Sequence, residues 1–221
     1  MLHSVLLNRT DPANGAITDL VYDCMGNELT LSVEANDYLK FEAGLIGLNN
    51  DNARPEPTVT VDSSGRFTFD EVNVFMSVNG GAEEEIKCQN WSMTYSNNVD
   101  AEFVVLGSRA PYNVKEGNGE AEFTFTPIDM STEPLVNHYR RALLNDPDSV
   151  KLRMVATGPL ITGATHWAFE LIAYNLEYLE APAPISAADV LKGIEVTARA
   201  AFDPGTSKFI EAKVTNTTTS Y

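Results

Sequence analysis

The chain has 221 residues, 43% of them hydrophobic, and it carries 31 acidic against 15 basic side chains for a formal net charge of −16. Such an acidic surface repels phosphate, which excludes ordinary nucleic-acid recognition through a basic patch. The length fits one large domain, so we expect a single domain over residues 1–221, and no apolar run indicates a membrane span. Residues 1–3 do not begin a secretion signal, and we therefore expect synthesis in the cytoplasm.

The first segment combines turn residues with a short apolar run. Residues 9–16 (RTDPANGA) contain Asp-Pro and Asn-Gly pairs that favour a loop. The first strand is predicted over residues 19–25, and Gly26-Asn27 is predicted to turn the chain.

A long two-faced hairpin is predicted over residues 27–48, with its bend at residues 35–37. The outgoing strand alternates Leu29, Leu31 and Val33 with polar residues that include Glu28 and Glu34. The returning strand alternates an apolar set with a polar set that includes Glu42. The apolar residues of the returning strand are Leu39, Phe41, Ala43 and Leu45. We therefore expect each strand to have one packed face and one mostly acidic face.

Shorter elements follow this hairpin. The polar stretch 49–57 predicts an exposed loop, and strands are predicted over residues 58–61, 66–69 and 72–78. The last of these strands ends in Asn79-Gly80-Gly81, a turn signal.

Residues 83–127 form the segment around which we expect the chain to be organised. They predict a strand with a register slip near Asn90, a connection over residues 99–119, and a return strand over residues 120–126. On the return strand Glu120 and Glu122 alternate with apolar residues. A connection of this length is uncommon unless it is functional or disordered.

The C-terminal half predicts one helix and four strands. Helical spacing of apolar residues and a preceding Ser-Thr cap predict a helix over residues 133–144. Strands at 150–157 and 166–174 are predicted to form a hairpin around Gly158-Pro159, and strands at 194–202 and 209–215 are predicted to pair with each other. Together these elements predict an all-β sandwich or barrel with one flanking α-helix.

Catalytic motifs are scarce in this sequence. The only two cysteines, Cys24 and Cys88, lie in apolar segments and are expected to be free buried thiols. The histidines His3, His138 and His166 fall in no catalytic or metal-binding motif. We therefore expect no enzymatic activity, no metal and no cofactor.

The order of the elements resembles that of the tail tube proteins of long-tailed bacteriophages. The hairpin ends in Gly-Leu-Ile-Gly, DEVNVFMSVNG follows, and the sequence then runs through VLGSRAP into EAEFTF. The predicted helix, hairpin, Ala-Pro segment and final strands are similar to the C-terminal half of that family. The resemblance covers most of the chain from about Leu20 onward.

This resemblance implies a structural virion protein that assembles into rings of six subunits stacked as a hollow tube. Each subunit would contribute two hairpins to a continuous inner barrel through which double-stranded DNA passes. The implied partners are further copies of the chain and other tail proteins such as the tape measure, terminator and baseplate or tip proteins. The resemblance fits the tube of a flexible tail and that of a contractile tail equally.

The resemblance also gives the acidic residues a role. We expect the carboxylates of Glu28, Glu34, Glu42, Glu120 and Glu122 to line the lumen, where they would repel the DNA phosphates. The alternative is an outward, solvated face, because alternation does not say which face points inward.

The connection over residues 99–119 would be an arm that reaches the next ring or the neighbouring subunit. Its candidate contact residues are Phe103, Val105, Arg109 and Tyr112. The alternative is a loop that caps the sandwich of its own subunit.

Two other classes of function fit the composition. A carbohydrate-binding β-sandwich would use Trp91, Tyr112 and Trp167 as stacking platforms, although both tryptophans lie in predicted strands, where core packing is favoured. A hydrolase would need two carboxylates converging across a cleft.

Overall fold

The computed structural model describes residues 3–11, 15–51, 66–100, 106–107, 115–128, 149–180 and 195–216. Within these ranges the chain forms β-strands and one short 3-10 helix, Phe69–Glu71. The strands, in chain order, are β1 (His3–Asp11), β2 (Gly15–Glu34), β3 (Lys40–Asp51), β4 (Val72–Val78), β5 (Glu84–Ile86), β6 (Cys88–Ser96), β7 (Glu120–Pro127), β8 (Val150–Thr162), β9 (Thr165–Ala173), β10 (Leu176–Glu180), β11 (Val196–Ala200) and β12 (Ile210–Thr215).

The strands form two sheets. One has seven strands in the order β1-β2-β6-β7-β11-β10, with β3 also paired to β2, and the other has five in the order β12-β9-β8-β4-β5. Neighbours such as β8 and β9 run antiparallel. The all-β prediction is confirmed. The predicted helix at residues 133–144 and the predicted strand at residues 58–61 lie outside the described residues.

The chain divides into two compact units. Unit 1 contains Met1–Leu29, Glu42–Ser64 and Tyr95–Glu120, and unit 2 contains the remaining residues. Strands β2, β3, β6 and β7 each carry residues of both units. The single domain expected over residues 1–221 stays a prediction.

The core of unit 2 lies between its two sheets. Trp91, Phe123 and Phe125 from one sheet and Met76 and Met154 from the other are each at most 2% exposed. Burying a large apolar side chain contributes about 1.5–3 kcal/mol relative to leaving it in water. On β6 and β7 polar residues alternate with these buried residues, as the sequence predicts for a sandwich.

Several strands lie where the sequence predicts them. Strand β4 has the predicted bounds, and β7 extends the predicted return strand by one residue. The bend of the first hairpin falls at the predicted residues, where Asn36 has a positive φ of 69°. Asparagine tolerates this conformation better than most residues because its short polar side chain bonds locally.

The N-terminal prediction was wrong in two respects. Residues 3–11 form strand β1, which pairs with the first part of β2, where a loop was expected from Arg9 onward. Gly26 and Asn27 do not turn the chain, because β2 continues through them to Glu34. The carbonyl of Asn27 accepts a hydrogen bond of 2.7 Å from the Asn97 amide, so pairing with a distant segment keeps this dipeptide extended.

The returning strand of the first hairpin differs from its prediction. Its apolar face was expected to be packed, yet Phe41 is 59% exposed and Leu45 is 43% exposed. Strand β3 also runs on to Asp51, so residues 49–51 are strand where a loop was expected.

Two short segments also differ. Residues 66–69 do not form a strand, because the chain there enters the 3-10 helix. The interruption expected near Asn90 falls at Lys87, where the chain leaves the five-stranded sheet at the end of β5 and enters the seven-stranded sheet at β6.

The last two corrections concern strand pairing. Strand β8 runs through Gly158-Pro159 with a register shift between Thr157 and Leu160, and the hairpin turns at Gly163 instead. Strands β11 and β12 exist near their predicted positions but do not pair with each other. Strand β11 pairs with β7 and β10, whereas β12 pairs with β9 in the other sheet.

Among the described residues, no helix has the length and apolar character needed to cross a membrane.

Candidate functional site

The five glutamates predicted to act together are all exposed. On β2, Glu28 and Glu34 follow the polar alternation opposite Leu31 and Val33, which are 0% and 7% exposed. On β7, Glu120 and Glu122 alternate with buried neighbours. On β2 and β7 the sequence pattern therefore correctly separates the polar face from the buried face.

Within unit 1, two of these glutamates share one side of the hairpin made by β2 and β3. A Cβ atom built on Gly44 would lie 3.4 Å from the Cβ of Glu28, so the two positions face the same way on neighbouring strands. Glu42 lies two residues from Gly44 and points to that same side. The carboxylates of Glu28 and Glu42 therefore lie on one polar face.

Within unit 2, one face of the seven-stranded sheet is polar and the opposite face is buried, as one side-chain contact on each face shows. The hydroxyls of Thr30 on β2 and Thr94 on β6 lie 3.4 Å apart. On the opposite, buried face the rings of Trp91 on β6 and Phe123 on β7 pack with centroids 6.1 Å apart. Since side chains alternate along β7, Glu122 projects to the same side as Thr94.

The described part of the chain places no cation beside these glutamates. Among the described residues, no lysine or arginine nitrogen lies within the 4.0 Å salt-bridge limit of any of the five carboxylates. An exposed carboxylate without a partner keeps its full negative charge directed at the solvent. The polar strand faces therefore combine regular spacing with uncompensated charge.

The outer face of the five-stranded sheet shows the opposite arrangement. Arg153 on β8 lies between Glu83, at 2.6 Å, and Glu170 on β9, at 3.1 Å, and Lys151 lies 2.8 Å from Glu83. Partial burial opposes ionisation of Glu83, yet the hydrogen bonds from Lys151 and Arg153 hold the pKa of its carboxyl below the usual value. These carboxylates are neutralised within the sheet.

The same network reaches β12. Glu211 accepts hydrogen bonds from Lys208 at 2.5 Å and from the Tyr174 hydroxyl. These two bonds, with Lys208 the larger cause, lower the pKa of Glu211 to about 2. Glu83, Glu170 and Glu211 are thus paired with lysine or arginine on the five-stranded sheet, in contrast to the five glutamates described above.

The neck of the predicted arm, at residues 97–99 and 115–118, is held by side-chain amides in unit 1. Asn27 Oδ1 accepts a hydrogen bond of 2.9 Å from the Val99 amide, and Asn98 Nδ2 donates one of 2.8 Å to the Asn118 carbonyl. Asp100 and Lys115 then pair through their backbones. The candidate arm residues Phe103, Val105, Arg109 and Tyr112 lie outside the described residues.

The cysteines and His166 have surroundings typical of structural residues. Cys24 and Cys88 are both free, as predicted, and burial raises the pKa of Cys88 to about 12, which keeps it a protonated, unreactive thiol. His166 Nδ1 lies 2.9 Å from the Gly158 carbonyl oxygen. Among the described residues, no three His, Cys, Asp or Glu side chains cluster as a metal site would require.

The two tryptophans differ in exposure. Trp91 is 2% exposed in the core, as expected, which removes it as a stacking platform for a sugar. The expectation of core packing was wrong for Trp167, which is 37% exposed. It lies in the exposed first part of β9, whereas the buried residues Leu171 to Ala173 form the end of that strand.

Comparisons with known proteins agree with the earlier resemblance. Residues 6–203 match the family described as phage tail tube protein. A comparison with curated proteins finds no match to the chain.

Proposed function

The chain belongs to the phage tail tube protein family, and from this premise we propose that it forms stacked rings of six subunits that enclose a channel for DNA. The family makes it a structural component of the virion tail. In this role the chain needs no catalytic group. Its partners are further copies of itself and the tape measure, terminator and baseplate or tip proteins, and it is made in the host cytoplasm before assembly.

Free strand edges support the assembly part of this proposal. Strand β3 pairs with β2 and has no second neighbour among the described strands. Strand β11 covers β7 only from Glu122 to Phe125, which leaves the start of β7 without that neighbour. Unpaired edges tend to bind further strands, and a closed barrel removes them. We assign the edge of β3 in one subunit to the start of β7 in the next.

The resulting barrel has a suitable size. Six subunits that each contribute β3, β2, β6 and β7 give twenty-four strands. At about 4.8 Å between strands and a tilt of about 40°, the backbone diameter is about 45–50 Å. That width leaves room for duplex DNA once side chains fill the wall.

The observation that supports the channel function is the set of five exposed glutamates for which the described residues provide no cationic partner. Their strands are those that would form the barrel wall, and each of the five side chains is exposed. We assign these faces to the lumen. A wall of carboxylates prevents the adhesion that phosphate-binding cations would cause, so DNA can move through the tube.

Negative-stain electron microscopy and light scattering of the same purified sample test the proposal. We expect hollow tubes or six-subunit rings without any added ligand. A sample that remains monomeric at all protein concentrations would contradict the assembly, and a uniform ring with another subunit number would contradict the six-fold barrel.

A further inference from the structure

Four aromatic side chains of unit 2 form a cluster in which Phe41 and Trp167 are exposed and Phe67 and Phe169 are half-buried. The ring of Phe41 meets that of Phe169 edge to face, with centroids 5.9 Å apart. A Cβ built on Gly158 would lie 3.0 Å from the ring of Phe67 and 3.5 Å from the Cβ of Trp167, so both aromatic residues lie against this glycine. We call Phe41, Phe67, Trp167 and Phe169 the aromatic patch.

The aromatic patch lies next to the buried residues on the face of the five-stranded sheet that packs in the core. Phe169 pairs in register with Ala156, which is 0% exposed. Farther along the patch Trp167 is 37% exposed and Phe41 is 59% exposed. The apolar layer between the sheets therefore extends into an uncovered surface.

The rim of the aromatic patch includes the cation Arg66 and two carboxylates. Asp37, which is paired with Lys40, accepts a hydrogen bond from the Tyr38 amide, and Glu71 accepts one from the Thr68 amide. The Arg66 guanidinium lies 5.5 Å from the ring centroid of Tyr38, which is 45% exposed. Tyr38 and Leu39 are tied to Thr68 and Phe67 through backbone pairing, so this pair adjoins the patch. Among the described residues, no carboxylate lies within salt-bridge distance of Arg66.

This composition is that of a protein-binding surface. Tryptophan, tyrosine and arginine are enriched where interfaces gain most of their binding energy. Single exposed apolar residues are ordinary, whereas a contiguous aromatic cluster with a polar rim marks an interaction site.

We propose that the aromatic patch is a contact surface for a second copy of this chain, an inference that rests on the proposed tube assembly. Two copies with a net charge of −16 each repel one another through most of their surfaces. The patch itself contains no carboxylate, and Arg66 on its rim is complementary to an acidic partner. It is therefore a surface through which another acidic copy can approach. Trp167 and Phe169 lie on β9, so their part of this contact is separate from the main-chain pairing of β3 and β7, whereas Phe41 lies on β3 itself.

Tryptophan fluorescence reports directly on this surface. The chain contains two tryptophans, and the buried Trp91 serves as an internal reference for Trp167. Acrylamide, a neutral quencher, is applied to dispersed subunits at low protein concentration and to assembled tubes. We expect acrylamide to quench Trp167 but not Trp91 in dispersed subunits, and we expect the quenching of Trp167 to disappear on assembly.

Matched substitutions test whether the contact matters. Phe41→Thr and Trp167→Thr each remove an aromatic ring with a strand-forming replacement, and each should raise the concentration needed for assembly about tenfold. Leu179→Thr is the control, because Leu179 is 47% exposed on β10 and outside the patch. It should leave that concentration within about twofold. Circular dichroism and thermal melting of each dispersed variant verify folding, and Phe41→Leu should recover part of the loss.

The outcomes separate this inference from the function on which it rests. Tubes in which Trp167 stays as open to acrylamide as in dispersed subunits overturn the inference alone, as do patch variants that assemble like the wild type. Protection of Trp167 already in dispersed subunits shows coverage by its own chain and also overturns it. Protection by added sugars without protection on assembly favours a glycan site. A wild-type chain that never assembles overturns both proposals.

Discussion

Gly47 in β3 is a position where one methyl group has a large predicted effect. An added Cβ would lie 2.2 Å from Cγ1 of Val21 and 3.0 Å from Sγ of Cys24. Valine cannot rotate away freely because it is branched at Cβ. We predict that Gly47→Ala lowers the free energy of unfolding by about 1–3 kcal/mol, measured by urea denaturation of dispersed subunits.

Gly26→Ala is the matched control for this substitution. No atom lies within 4 Å of a Cβ built at Gly26, and its φ is not positive. Replacing glycine in such a place removes unfolded-state freedom and should stabilise by about 0.4–1 kcal/mol. Equal effects of the two substitutions would contradict the packing argument.

Glu211 gives a prediction for acidic pH. Its pKa is lowered from 4.5 to about 2 by Lys208 and then Tyr174. A lowered pKa in the folded state adds stability above pH 4.5, and this stability is lost as the pH falls toward about 2. We predict that Glu211→Gln melts at a lower temperature than the wild type at neutral pH, and that this difference shrinks between pH 4.5 and pH 2.

Glu177→Gln is the control for the pH experiment. Glu177 pairs with Arg199 at 3.1 Å, and both side chains are about half exposed, so solvent screens the pair. Its melting temperature should follow the wild type across the same pH range. A constant difference between Glu211→Gln and the wild type at every pH would show that the substitution acts through packing and not through charge.

At the scale of residues, the sequence predicts which face of a strand a side chain occupies. The alternation around Glu28, Glu34 and Glu122 correctly places each on an exposed face. It does not show whether the opposite face is covered, because coverage depends on other elements. Phe41 and Trp167 follow the same alternation as buried residues and are nevertheless exposed.

At the scale of elements, local turn residues were less decisive than long-range pairing. Gly26-Asn27 has the composition of a turn, but hydrogen bonds to the Asn97 backbone and side chain hold it in a continuous strand. Strands β11 and β12 were recognised from their composition, while their partners were not. A strand sequence encodes its own two faces and carries little information about which edge it will join.

The arm prediction belongs to this scale. Deleting residues 100–106 removes the first part of the proposed arm but leaves the bonds of Asn27 to Val99 and of Asn98 to Asn118. We predict rings or monomers that do not stack, since Phe103 and Val105, two of the four candidate arm contacts, are lost and the arm is shortened by seven residues. Electron microscopy and sedimentation measure the stacking.

Thermal melting of the dispersed deletion variant provides the control. Its melting temperature should fall only slightly, because the deletion removes the backbone pair of Asp100 with Lys115 but keeps the side-chain amide bonds of the neck. Tubes of normal length from the deletion variant would contradict the arm and favour a loop that caps its own subunit.

At the scale of the whole molecule, the net charge of −16 matters less than its distribution. Carboxylates such as Glu83 and Glu170 are neutralised across neighbouring strands, whereas Glu28 and Glu42 have no described cation within reach. Composition alone predicts repulsion of phosphate. In the described residues, the five glutamates proposed to line the lumen are exposed and lie outside the salt bridges of the five-stranded sheet.

Charge reversal on these faces should change the passage of DNA while preserving the tube. We predict that replacing Glu28, Glu34, Glu42, Glu120 and Glu122 by lysine leaves tubes intact but slows DNA release, because each lysine can neutralise a phosphate. The delay should shrink as salt is raised, since screening weakens these contacts. Ejection kinetics at several salt concentrations measure both effects.

A smaller matched pair of variants distinguishes the position of the charge from its amount. Glu28→Lys with Glu42→Lys changes the charge by as much as Glu84→Lys with Asp70→Lys, but Glu84 and Asp70 are exposed residues outside the four proposed wall strands. Only the first pair should slow release, because DNA inside the tube would not meet the second. Equal delays from both pairs would show that total charge governs release. Unchanged ejection after all five replacements would place the glutamates on an outward face.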